Sequence, residues 1–261
     1  MNIYWPLKKE FMLTVIFTYK CNFKCSYCFE KNIKRPDLDL KYFDYFMKNL
    51  TLKINNIDLN EFHFSIYGGE LSLFDLKWHE DLFKIFKKYK LKIPTYVHYL
   101  SNLSQPIEKY KDIYDLTKNY INNFDFKFTL HEEYFNIDEF IKKAYKINNF
   151  IPIQLKFFKE LDSDKINFLK KHSIEYFIDS IDHNDYKQEI QNNINNLRPV
   201  LCYSYNYILD SDGMFFHECF NNIKTHIMNF KKFKIPEKIY CDKVCGCPVL
   251  ELYAYKELKR D

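Results

Sequence analysis

The chain has 261 residues, enough for one large domain or a domain with a small appendage. Hydrophobic residues make up 47% and charged residues 28%, the balance of a folded globular protein and not of a disordered one. A net charge of +4 is too small to argue for a nucleic-acid partner, and no apolar run approaches the roughly 20 residues needed to span a bilayer.

In chain order, residues 12–18 alternate and read as a first strand. Lys8, Lys9 and Glu10 precede this run and no small-residue cleavage site follows it, so it does not read as a signal peptide. About eleven residues precede the strand, and the sequence predicts no leader-peptide recognition domain ahead of it. The expected location is the cytoplasm, where thiols stay reduced.

The segment YKCNFKCSYCFE follows at once and places Cys21, Cys25 and Cys28 in one loop. Three thiolates at C-x3-C-x2-C spacing can hold three irons of a cubic cluster. Fully Cys-ligated clusters take four thiolates, so a three-Cys loop leaves one iron for a non-protein ligand. A zinc site or a disulfide is the alternative, but no His lies near the loop and nothing marks the chain as secreted.

At these residues the sequence resembles the radical S-adenosylmethionine (radical SAM) superfamily. The resemblance implies a [4Fe–4S] cluster on Cys21, Cys25 and Cys28, with the amino and carboxylate groups of S-adenosylmethionine on the fourth iron. It also implies that Tyr27, the aromatic residue before the third cysteine, lies beside the adenine.

Residues 39–54 carry apolar residues at helical spacing, with Asp37 or Asp39 as a cap. EFHFSIY (61–67) reads as a strand and ends in Gly68-Gly69-Glu70. The chain has only four glycines, Gly68, Gly69, Gly213 and Gly246, so each marks a place where a side chain is not tolerated. YGGE resembles the family's Gly-Gly-Glu-Pro motif, with Leu71 in place of Pro. Two glycines permit close backbone approach to a ligand, and a carboxylate can meet an ammonium through a charge-assisted hydrogen bond. The resemblance assigns Glu70 to the methionine amino group.

Residues 77–91 form a basic amphipathic helix whose lysines read as a solvated face. The strand 94–100 ends in Ser101 and Asn102, which with Leu103 resemble a Thr-Asn-Gly element at the third strand. Residues 106–120 are helical, with Pro106 near the start. The strand 124–130 contains Thr129, at the position of a family Ser or Thr that helps hold the ribose or the carboxylate. His131 follows it as a candidate catalytic residue, with a partly exposed structural histidine as the alternative. A helix over 137–148 leads to the strand 151–158, where Lys156 is a candidate partner for the cofactor carboxylate or for a structural acid. A helix over 163–172 and a sixth strand over 174–181 follow, and the last candidate catalytic residue, Asp179, stands at that strand's end.

Six strand–helix alternations predict an α/β fold with a parallel sheet. Right-handed crossovers curl such units toward a barrel, with chemistry at the C-terminal strand ends. The resemblance implies a partial (β/α)6 TIM-like barrel over residues 1–183. Residues 184–261 are expected to add a small β-hairpin plus helix cluster-binding domain.

That last third opens on LCYSYNYILDSDGMFFHECF, where Asp212-Gly213 between two alternating runs signals a hairpin that brings Cys202 and Cys219 together. CDKVCGCP adds Cys241, Cys245 and Cys247 ahead of a helical pattern. The arrangement resembles a twitch-type auxiliary domain, a short relative of the SPASM domain, which implies a second [4Fe–4S] cluster. Five cysteines exceed the four needed, so one of Cys241, Cys245 and Cys247 is a spare. A structural zinc site is the alternative.

The resemblance implies an oxidoreductase or modifying enzyme. A flavodoxin or ferredoxin reduces the first cluster, S-adenosylmethionine is cleaved, and the 5′-deoxyadenosyl radical takes a hydrogen atom from a peptide or small molecule. Two other readings stay open. One is a non-catalytic zinc- or iron–sulfur-binding regulatory protein, separable by metal analysis. The other is a radical SAM methyltransferase or isomerase with structural C-terminal cysteines, separable by product analysis.

Overall fold

The protein is described by a computed structural model covering residues 4–5, 10–28, 30–178, 200–202, 205–217, 223–236 and 239–241. Its elements in chain order are β1 (Tyr4–Trp5), β2 (Glu10–Ile16), α1 (Leu40–Ile54), β3 (Glu61–Tyr67), α2 (Leu76–Lys88), β4 (Thr95–Ser101), α3 (Ile107–Thr117), β5 (Asn123–Thr129), α4 (Ile137–Asn148), β6 (Ile153–Phe157), α5 (Ser163–Lys171), β7 (Glu175–Ile178), β8 (Val200–Cys202), β9 (Tyr205–Leu209), β10 (Met214–His217), β11 (Lys224–His226) and β12 (Ile239–Cys241).

Strands β2 to β7 lie side by side in sequence order and pair in parallel, each followed by a helix up to β7. This is the expected six-unit α/β architecture. It arises from period-two patterning. Phe11, Leu13 and Val15 on β2, Phe62, Phe64 and Ile66 on β3, and Phe124, Phe126 and Phe128 on β5 are buried on one face. Helices supply the other half of that core. Phe43 of α1 meets Phe64 edge-on at 5.8 Å, and Phe86 of α2 meets it at 4.6 Å. Removing one such ring from a core costs about 3–5 kcal/mol.

The opposite face of the sheet is polar and partly open. Glu61, His63, Ser65 and Tyr67 of β3 alternate with the buried residues and are only half-buried. A strand with one apolar and one polar face is the pattern of a sheet covered by helices on one side.

Asp39 caps α1 through a bond from the Lys41 amide. The other cap candidate, Asp37, does not cap. It accepts from the Thr18 hydroxyl at 2.6 Å and from Lys20 at 2.6 Å, on the flank of the cysteine loop.

The hairpin forms as the Asp-Gly signal predicts, with Phe215 opposite Leu209 and His217 opposite Tyr207. Gly213 has φ +82°, a conformation that favours glycine, and its amide closes the turn on the Asp210 carbonyl. The hairpin continues the barrel sheet, because β9 pairs in parallel with β2 and the nine-stranded order runs β11-β10-β9-β2-β3-β4-β5-β6-β7. Phe46 of α1 packs against Phe215 at 5.4 Å and Phe230 at 4.6 Å, so one helix serves both barrel and hairpin.

A separate three-stranded sheet has the order β1-β8-β12. Cys202 therefore lies on β8 beside Trp5 and Ile239 and not on a hairpin strand. The expected junction at 183–184, Asp179, Cys219, Cys245, Cys247 and the C-terminal helical pattern lie outside the described residues. Among the described residues, no helix is long and apolar enough to cross a membrane.

Candidate metal centre

The cysteine loop leaves the C-terminal end of β2, at the mouth where parallel α/β barrels concentrate their chemistry. Cys21 is exposed, Cys28 half-buried and Cys25 buried, and all three thiols are free. A tight turn links two of them, with the Cys28 amide donating to the Cys25 carbonyl at 3.2 Å. Burial raises the pKa of Cys21 and Cys25, and nearby negative charge raises both further. Bound iron would reverse that balance, since a coordinated thiol is deprotonated by the metal. Three free thiols on one loop can supply three of the four ligands of a four-iron cluster.

The end of β3 braces the base of this loop. The Gly69 amide donates to the Thr18 carbonyl at 2.7 Å and the Glu70 amide to the Lys20 carbonyl at 2.8 Å. A Cβ on Gly69 would lie 2.1 Å from the Lys20 carbonyl oxygen, and one on Gly68 would lie 2.6 Å from that of Thr18. The close approach that these glycines permit is thus to the protein's own backbone, at the point where the loop begins.

Glu70 is 1% exposed, and its carboxylate accepts four hydrogen bonds. The donors are the Ser72 amide and hydroxyl, the Ser101 hydroxyl at 2.8 Å and the Asn102 amide at 2.7 Å. Burial pushes its pKa up while these donors pull it down. The side chain ties the end of β3 to the end of β4. Asn102 carries the linkage onward, its side-chain Nδ2 donating to the Asn22 side-chain Oδ1 at 3.0 Å and lying 3.8 Å from the Cys21 sulfur.

Leu103 stands where the resembled element has Gly, and it takes the left-handed conformation itself, with φ 59°. Its side chain is fully buried. The backbone path at this strand end therefore survives without glycine.

The segment after β5 grips the other side of the loop. The His131 Nδ1 lies 2.6 Å from the Tyr27 hydroxyl and 3.4 Å from the Cys25 sulfur. Burial pushes the His131 pKa down to about 4, so the ring is neutral near pH 7. Glu133 accepts from the Ser26 amide at 2.9 Å and from its hydroxyl at 2.6 Å. The Tyr134 hydroxyl accepts from the Lys24 amide at 2.6 Å, and its ring stacks on Phe23 at 4.1 Å. Sequence reasoning reached His131 but missed Glu133 and Tyr134. Their signal was position alone, two and three residues past His131 at a strand end.

A third set holds the flanks of the loop. The Tyr19 hydroxyl donates to Asp210 at 2.7 Å, and Arg35 pairs with Asp210 and, at 2.9 Å, with Asp212. No sequence signal joins Tyr19 to a residue 191 positions away.

Contacts thus bring together Cys21, Cys25, Tyr27, Gly68, Gly69, Glu70, Ser101, Asn102 and His131. Thr129 and Lys156 face each other across β5 and β6, and the Lys156 ammonium sits over the rings of Phe158 and Phe177 at 5.2 and 5.7 Å. At the far end of the chain, Cys202 and Cys241 occupy paired strands. Cys202 is opposite Ile239 and Cys241 opposite Val200, so the two cysteines are diagonal neighbours in register.

Residues 11–143 match a family model described as a 4Fe–4S single cluster domain, which covers half of the chain. No curated protein matches the sequence. Among solved structures, Streptococcus suis SuiB bound to S-adenosylmethionine is similar with a TM-score of 0.56 at 12% identity, over 87% of this chain and 66% of SuiB. SuiB in a second structure gives a TM-score of 0.54 over the same shares at the same identity. anSMEcpe with bound AdoMet and the Cp18Cys peptide gives 0.43 at 14% identity, over 96% of each chain. The chain spans just under two thirds of the length of SuiB.

Proposed function

Because the chain belongs to the 4Fe–4S single cluster domain family and has the radical SAM fold, we propose that it is a radical SAM enzyme. The observation that carries this reading is the placing of three free thiols on one loop at the C-terminal mouth of the parallel barrel, with the loop base fixed by Gly68 and Gly69. Cys21, Cys25 and Cys28 would hold a [4Fe–4S] cluster. When bound, that cluster and S-adenosylmethionine supply a 5′-deoxyadenosyl radical that takes a hydrogen atom from a peptide or small molecule.

The chain's own residues bind and orient. The backbone at Gly68 and Gly69, with Ser101, Asn102 and Thr129, forms the rim on which the cofactor would lie, and Tyr27 offers its ring to the adenine. Glu70 is assigned by resemblance to the methionine ammonium. Its four internal bonds also brace the rim, and these two roles are separable. A Glu70→Gln change that removes an ammonium contact should weaken S-adenosylmethionine binding about ten-fold or more. A change in unfolding midpoint with the cofactor Kd unmoved would leave bracing alone.

Cys202, Cys219, Cys241, Cys245 and Cys247 fit a second [4Fe–4S] cluster of twitch type. The register of Cys202 and Cys241 supports this reading, as does the supply of further thiols close by in sequence. A second cluster would give an oxidising enzyme a place to send the substrate's electron. A flavodoxin or ferredoxin is the proposed reductant and the cytoplasm the proposed location.

Anaerobic reconstitution tests the proposal. The wild-type protein should hold about eight irons, two four-iron clusters of the Cys-ligated type, and should form 5′-deoxyadenosine under reduction. Replacing Cys21, Cys25 and Cys28 together by Ala should leave about four irons and abolish 5′-deoxyadenosine. Undiminished cleavage in that variant would overturn the reading.

A further inference from the structure

We infer that the open face of the barrel sheet carries a binding row, Glu61–His63–His98–Asp125, for a cationic hydrogen-bond donor on the substrate, an ammonium or a guanidinium. The inference rests on the enzymatic reading above. It names a substrate class for the same barrel.

The four residues sit on three neighbouring strands, on the face opposite the helices. Glu61 and His63 are on β3, His98 on β4 and Asp125 on β5, with His98 directly opposite Asp125 in register. A continuous chain of contacts joins them. The Glu61 Oε2 is 3.2 Å from the His63 Nε2, the His63 Nδ1 is 3.1 Å from the His98 Nε2, and the His98 Nδ1 is 2.6 Å from the Asp125 Oδ1. Tyr96 stacks on His63 at 5.0 Å and fixes that ring. The side chains remain 28%, 24%, 14% and 30% exposed in that order, so a ligand can reach the row.

The contacts set the row's chemistry. Each outer contact puts a ring nitrogen against a carboxylate, and the inner contact puts two ring nitrogens together. Each end of the row is a carboxylate.

The ring nitrogens are engaged within the row. What it can offer a ligand is carboxylate oxygen, an acceptor, with Glu10 opposite Glu61 in register and Lys127 two residues beyond Asp125 on the same strand face. Such a wall selects a donor with positive charge. Tetrahedral zinc would hold two ring nitrogens about 3.3 Å apart, further than the 3.1 Å of the inner pair, and the outer ring nitrogens are already taken by the carboxylates.

Placement along the strand adds a length. His63 lies four residues before Tyr67, at the mouth where the cysteine loop begins, which is about 13 Å of strand. The row thus suits a substrate whose cationic end lies roughly that far from the end that reacts.

The test uses the full-length protein labelled with 15N-histidine, with His63→Gln and His98→Gln variants to assign the ring signals. Methylguanidinium should shift these signals saturably and acetate should not. Asp125→Asn keeps an acceptor for His98 and removes the charge, so it should weaken methylguanidinium binding about ten-fold. Glu61→Gln should do the same from the other end. Both variants should form 5′-deoxyadenosine at the wild-type rate, since neither touches the cysteine loop. An equal response to acetate overturns the inference, as does undiminished binding in both variants. If the wild-type protein makes no 5′-deoxyadenosine, the enzymatic reading fails, and the titration still decides the row.

Discussion

The cysteine loop is held on two sides by unlike means. On the β5 side, His131, Glu133 and Tyr134 reach residues 23–27 of the loop through short polar contacts near the surface. On the hairpin side, buried Asp210 ties Tyr19 and Arg35, which lie outside the cysteines on either flank, to a turn 191 residues away from Tyr19. The first grip shapes the ligand-bearing loop. The second fastens its flanks to the sheet extension. Loop shape and loop attachment are therefore separable properties, and substitutions should affect one without the other.

The largest effect is expected at the base of the loop, which the end of β3 braces between the two grips. Gly69→Ala would press a methyl group against the Lys20 carbonyl from 2.1 Å. The backbone must move, so destabilisation of about 3 kcal/mol is expected in urea unfolding, together with loss of iron binding. A variant as stable as the wild type would show that the base of the loop can shift freely.

Asp210→Ala comes next. It leaves the Tyr19 hydroxyl and the exposed Arg35 without their shared buried acceptor, and should cost about 1–3 kcal/mol. Asp212→Ala removes only the outer, more exposed contact of Arg35 and should cost about 0–1 kcal/mol. Equal losses from the two would mean that the hairpin is fastened by the charge of its turn and not by the buried carboxylate.

Glu133→Gln should have the smallest effect on the whole fold, because the group is exposed. Its unfolding midpoint should match the wild type, while a chelator should strip iron from the loop faster. A shifted midpoint with unchanged iron loss would merge the two grips into one.

Much of the barrel was legible in the sequence because its strands obey a strict two-residue period. Glu61–Tyr67 and Ile137–Asn148 fall where the patterning places them. The three cysteines and the two glycines were legible because few residue types can do their work. The grips were not. Glu133, Tyr134 and Asp210 are common polar residues whose meaning comes only from what the fold brings opposite them. The pairing of β9 with β2 was hidden for the same reason, since a strand's own pattern does not say which edge it joins. Asp37 and Asp39 offered the same cap signal, and only the course of the loop decided between them.

Leu103 separates the spelling of a motif from its shape. A left-handed residue without glycine costs on the order of 1 kcal/mol, and burying a leucine side chain returns about 2 kcal/mol. The exchange is close to neutral, so a chain whose composition disfavours glycine can drop the letter and keep the turn. A search for this strand end written in letters would pass over it, whereas one written in backbone dihedral angles would find it.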